Sequence, residues 1–126
     1  MKTFVFLGAI NAFVSIGCGA FGAHALAERL TPHLLDIWRT GAQYHLAHAL
    51  ALVLVALVSE RLTGTFSDRL VNATGWLFVT GIVVFCGSLY LLAVTDWRWL
   101  GAITPLGGLC FLSGWALFAL AAVRSK

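Results

Sequence analysis

Charged side chains divide the chain into four long uncharged runs, Thr3 to Ala27, Thr40 to Ser59, Leu70 to Thr95 and Trp99 to Val123, of 25, 20, 26 and 25 residues. An α-helix rises about 1.5 Å per residue and a bilayer core is about 30 Å thick, so about 20 apolar residues cross it once. The pattern therefore predicts an all-α, integral membrane bundle of four transmembrane helices. It occupies residues 1–126 as one membrane domain, with spans near 3–27, 40–59, 70–95 and 99–123. A soluble alternative would have to bury four such helices inside a chain too short to cover them.

Small residues set the finer pattern. In the first run Gly8, Ala12, Ser15, Gly19 and Gly22 recur at steps of four and three, which places them on one helix face where a second helix can approach closely. In the third run Thr74, Gly81, Ser88 and Thr95 recur every seven residues and predict another such stripe. Tyr90, Trp97 and Trp99 are expected towards the membrane boundary, where amphipathic rings are favoured. The fourth run opens with Gly101, Thr104, Pro105, Gly107 and Gly108, and Gly101 and Gly108 are taken with the packing set. Between the first two runs, Thr31-Pro32 is an N-cap followed by proline at the first helical position. It predicts a short interfacial helical segment before the second span, with Leu34, Leu35 and Trp38 facing away from Asp36 and Arg39, and a bend at Gly41.

Composition agrees with this reading. Hydrophobic residues make up 60% of the chain, charged residues 10%, and the mean hydropathy is +0.93, against about 25% charged in ordinary soluble domains. The net charge of +3 does not indicate nucleic acid, because the basic residues stand singly at helix ends. Both termini and the second loop carry five Lys/Arg, the first and third loops three, so cytoplasmic termini are expected. Met1-Lys2 before an apolar run resembles a signal peptide, but with three further spans an uncleaved first helix is the expectation. Cys18, Cys86 and Cys110 have no CxxC spacing and are expected to pack as small apolar residues.

Candidate chemistry is sparse. No Asp, Glu, Lys or Arg falls within a run, which argues against a proton-coupled exporter or a voltage sensor. All four histidines fall between His24 and His48. The candidate polar pocket comprises His24, Gln43, Tyr44, His45 and His48, in which these groups fasten the first two spans by interhelical hydrogen bonds or hold a polar ligand or lipid headgroup. A metal or haem site is the alternative, since His45 and His48 lie three apart; the pattern lacks HExxH and a haem-attachment signature. With no nucleophile elbow and no phosphate loop, the reading is a non-enzymatic, cofactor-free packing or binding protein that self-associates in the bilayer. A small oligomeric channel or transporter is the other alternative.

GAFGAHAL at Gly19–Leu26, the stretch Tyr44-His45-Leu46-Ala47-His48-Ala49-Leu50, GSLYLLA at Gly87–Ala93 and GAITPLGGLCFLSGW at Gly101–Trp115 are similar, over nearly the whole chain and in order, to the YgdD/YwdK-like family of small bacterial inner-membrane proteins. The resemblance implies a four-span α-helical protein of the cell membrane. The family carries no established activity, so no site residue transfers from it.

Overall fold

Each uncharged run folds as helix, and each helix continues past its run into the charged flanks. The computed structural model describes residues 1–62 and 64–125; Thr63, and Lys126 from the C-terminal charge count, lie outside the described residues. Helix α1 is Lys2–Phe21, followed without a break by a π-helical turn at Gly22–Leu26. Helix α2 is Pro32–Ser59. Helix α3, Thr65–Gly81, runs through a second π-helical turn at Ile82–Cys86 into α4, Gly87–Thr95. A 3₁₀ turn at Arg98–Ala102 leads into α5, Thr104–Arg124. Among the described residues, four helical stretches are thus long and apolar enough to cross a membrane: Lys2–Leu26, Pro32–Ser59, Thr65–Thr95 and Arg98–Arg124.

The Thr31-Pro32 signal acts as its chemistry requires. The Thr31 hydroxyl accepts the Leu34 N–H at 3.3 Å, with Pro32 in the first turn. The interfacial turns are not a separate piece, however, and the helix does not break at Gly41: α2 is continuous from Pro32 to Ser59. Gly41 serves contact instead, since a Cβ there would lie 3.1 Å from the Tyr90 ring and 3.3 Å from Leu89 Cβ. The space a side chain would take is occupied by the third span.

The second span is the hub. Half of its most apolar window is buried, against 17% for the first span and 22% for the fourth, so the first and fourth flank the second and third. On the small-residue face of the first span, a Cβ at Gly8 would come within 2.7 Å of the Ala49 carbonyl, and one at Gly22 within 2.6 Å of the Trp38 ring. The Trp38 indole N–H donates to the Cys18 carbonyl at 2.8 Å beside that π-helical turn. Ser15 is buried, Ala12 half-buried, and Gly19 exposed with nothing within 4 Å of its Cβ position. The partner of this face is therefore the second span of the same chain.

The third and fourth spans interlock in antiparallel register. Phe78 lies against Gly114, Phe111 against Gly81, and the Phe85 backbone against Gly107. Hydroxyls extend the same register: Ser88 and Thr104 share a hydrogen bond of 2.6 Å, while Thr74 and Ser67 donate to the carbonyls of Gly114 and Ala121, both at 3.3 Å. Without a hydrophobic force between helices in lipid, such close packing and hydrogen bonding hold the spans together. Gly108 makes only ordinary contact with Phe85, at 3.8 Å, and Gly101 meets nothing within 4 Å. Gly75, against which Phe4 of the first span packs, Gly107 and Gly114 complete the glycines in close contact.

Candidate functional site

The two central histidines sit three residues apart on the second span, yet they serve different neighbours. His45, 4% exposed, has Nε2 at 2.9 Å from Asn11 Oδ1 and Nδ1 at 3.0 Å from the Tyr90 hydroxyl. An amide oxygen can only accept, so His45 Nε2–H donates to Asn11, and in the neutral ring Nδ1 accepts from Tyr90 O–H. Asn11 in turn donates from Nδ2 to the Leu7 carbonyl at 2.8 Å. One chain of hydrogen bonds thus links the first, second and third spans. Tyr90, expected towards the membrane boundary, turns its ring inward over Gly41, where no side chain blocks it, and packs on Trp38 at 4.6 Å.

His48, 6% exposed, has Nδ1 at 2.8 Å from the Tyr44 carbonyl, and its Nε2 receives the Trp115 indole N–H at 3.1 Å. A carbonyl only accepts and an indole N–H only donates. His48 is therefore held as the neutral Nδ1–H tautomer, opposite to His45, with its remaining lone pair already engaged. Its ring stacks on Phe111 at 3.5 Å and meets Phe78 edge-on at 5.4 Å.

Beside this stack lies a cavity of about 320 Å³ lined by Tyr44, His48, Phe85, Gly108, Phe111, Leu112 and Trp115. His48 and Phe111 fall near the middle of their uncharged runs, so the cavity sits deep in the hydrocarbon. Its walls come from the second, third and fourth spans. Leu112, Tyr44 and Trp115 are 69%, 45% and 42% exposed, which opens the cavity sideways towards lipid.

The structure divides the expected polar set. Tyr44 and His48 line the aromatic cavity, His45 belongs to the Asn11–Tyr90 chain, and His24 and Gln43 are exposed and join neither. His33 is exposed as well. No group of three His, Cys, Asp or Glu side chains that would hold a metal forms among the described residues. Asn11, Trp115 and the three phenylalanines are additional participants. Asn11 stands out as the one amide in the first run; nothing in the chain flags the pairing of Trp115 with a histidine 67 residues away.

Residues 18–108 match a family described as "Protein of unknown function (DUF423)". The chain is 50% identical to the UPF0382 membrane protein YwdK of Bacillus subtilis and 46% identical to a UPF0382 membrane protein of Staphylococcus epidermidis, in each case over 98% of both chains. No solved structure matches it. These relatives are named as membrane proteins, in keeping with the four span-length helices, and nothing in the comparisons indicates enzymatic activity or supports a channel, metal or haem protein.

Proposed function

Because the chain belongs to the DUF423 family of multi-pass membrane proteins, we propose from its own residues that it is a non-enzymatic binding protein that takes a lipid hydrocarbon chain sideways from the bilayer into the cavity beside His48. The observation that carries this reading is an aromatic cavity of about 320 Å³ at mid-membrane depth whose histidine, His48, has both ring nitrogens engaged, by the Tyr44 carbonyl and the Trp115 indole N–H. Such a wall offers a ligand shape and dispersion contacts rather than a reactive group.

Gly108 provides the test. Gly108 lines the cavity and its Cβ position makes only ordinary contact, with Phe85 at 3.8 Å, so Gly108→Leu is expected to place its side chain in the cavity. Native mass spectrometry from mild detergent should show the wild-type protein holding one lipid through delipidation and Gly108→Leu losing it. Equal retention by both proteins would remove the reading.

Self-association belongs to the proposal only through the outward face of the first span, where Gly17 and Gly19 meet nothing within 4 Å, because Gly8 and Gly22 are taken up inside the chain. The same spectra report subunit number, and monomer alone would remove that part. The proposal places the chain in the cell's inner membrane with both termini cytoplasmic, supported by the Lys/Arg bias. A C-terminal reporter that is active only outside the cytoplasm should stay silent; activity would invert the arrangement.

A further inference from the structure

A cavity of about 590 Å³ lies at the membrane boundary where the second span begins and the third ends. Arg98, Asp96 and His33 supply its polar wall, and Leu34, Ile37 and Leu92 its apolar one. Asp96 and Arg98 are exposed, and among the described residues neither forms an ion pair; the one ion pair joins Arg39 to Asp36 at 3.8 Å. The cavity therefore offers one free fixed cation and one free fixed anion.

This cavity and the aromatic one lie on the same seam. Ile37, Gly41, Tyr44 and His48 follow one another at steps of four, three and four, which keeps them on one face of α2. Leu92 and Phe85 form the opposite wall from the third span, one in each cavity; between them Gly41 lies directly against Leu89 and Tyr90, so a chain joining the two cavities has to pass on the lipid side of that contact. From Ile37 to His48 the helix advances roughly 16 Å. One leaflet of hydrocarbon is about 15 Å deep. A lipid with its head at the boundary cavity would bring its chain end to His48.

We propose that the boundary cavity and the aromatic cavity hold one molecule, a zwitterionic phospholipid with a primary ammonium head of the phosphoethanolamine type. This rests on the tail-binding reading above and adds the head. The Arg98 guanidinium donates to the phosphate, and the ammonium donates to the Asp96 carboxylate. A quaternary ammonium cannot donate, and a glycerol head offers Asp96 only neutral hydroxyls in place of a cation.

The test offers the purified full-length protein equal amounts of phosphatidylethanolamine, phosphatidylcholine and phosphatidylglycerol with matched acyl chains, and reads retention by native mass spectrometry. Phosphatidylethanolamine should be favoured about threefold over each of the others, the scale of one exposed ion pair. Asp96→Asn should abolish that preference while preserving the fold, because Asp96 has φ 53° and asparagine also tolerates the left-handed region. Arg98→Gln should weaken retention of all three. Equal retention of the three lipids by the wild type, or a preference that Asp96→Asn leaves intact, overturns the proposal. If retention shows no head preference yet still disappears in Gly108→Leu, the head assignment alone falls. If Gly108→Leu keeps the lipid, tail binding falls, and joint occupancy with it.

Discussion

Gly107→Ala is expected to destabilise the protein by about 2 kcal/mol, within the usual range for overpacking a close contact. The new methyl would strike the backbone nitrogen and Cα of Phe85, and backbone, unlike a flexible side chain, cannot rotate aside. Relief requires the third and fourth spans to separate, which loosens the flanking contacts of Phe111 with Gly81 and of Phe78 with Gly114. Reversible unfolding in mixed micelles, followed by circular dichroism, would measure the change. Gly101→Ala and Gly19→Ala are suitable controls, because a Cβ at either meets nothing within 4 Å; both should stay within about 0.5 kcal/mol of the parent. If Gly107→Ala unfolded like these controls, the interlocked register of the last two spans would be wrong.

Phe111→Ala should cost more, about 3 kcal/mol, towards the lower end of the range for deleting a buried ring. The ring is 4% exposed. It fills the space above Gly81, stacks on His48 at 3.5 Å and lies 5.4 Å from Phe85. Its loss opens a void beside three spans and leaves the His48 ring supported mainly by Phe78 and Trp115. Phe111→Leu keeps most of the volume and should recover much of the stability. The two variants separate packing from ring stacking. An alanine variant as stable as the parent would mean that the aromatic stack does not join the second and fourth spans.

The placement of the spans was legible because charges are too costly to bury in hydrocarbon, so their positions mark the ends of every helix. Thr31-Pro32 was legible as a local capping event whose partner, Leu34, lies three residues on. The small-residue face of the first span was legible at Gly8, Ser15 and Gly22, but Gly19 shares the spacing and faces open space. Periodicity identifies a face; it does not show how far the neighbouring helix extends along it. The interlock of Phe78, Gly81 and Phe85 with Gly107, Phe111 and Gly114 was hidden for a different reason. Both sets sit at ordinary helical spacing, and only the register between two antiparallel helices determines which ring meets which glycine. His45 and His48 illustrate the same limit. Three residues apart implies a shared face, yet an offset of about 60° around the helix is enough to turn one ring towards Asn11 and Tyr90 and the other towards Phe111 and Trp115.

Gly8 and Gly22 of the first span press on the second, while Gly81, Gly107 and Gly114 join the third span to the fourth and Gly75 joins it to the first. The first and second spans, and likewise the third and fourth, form a hairpin of consecutive segments, so closing it brings together ends separated by a short connection, at little entropic cost. During synthesis the first hairpin can settle before the second leaves the ribosome. The two hairpins meet through Phe4 on Gly75, Gly41 on Tyr90, His45 on Tyr90 and His48 on Phe111 and Trp115, and because the boundary cavity takes its walls from both hairpins, it exists only once they are joined.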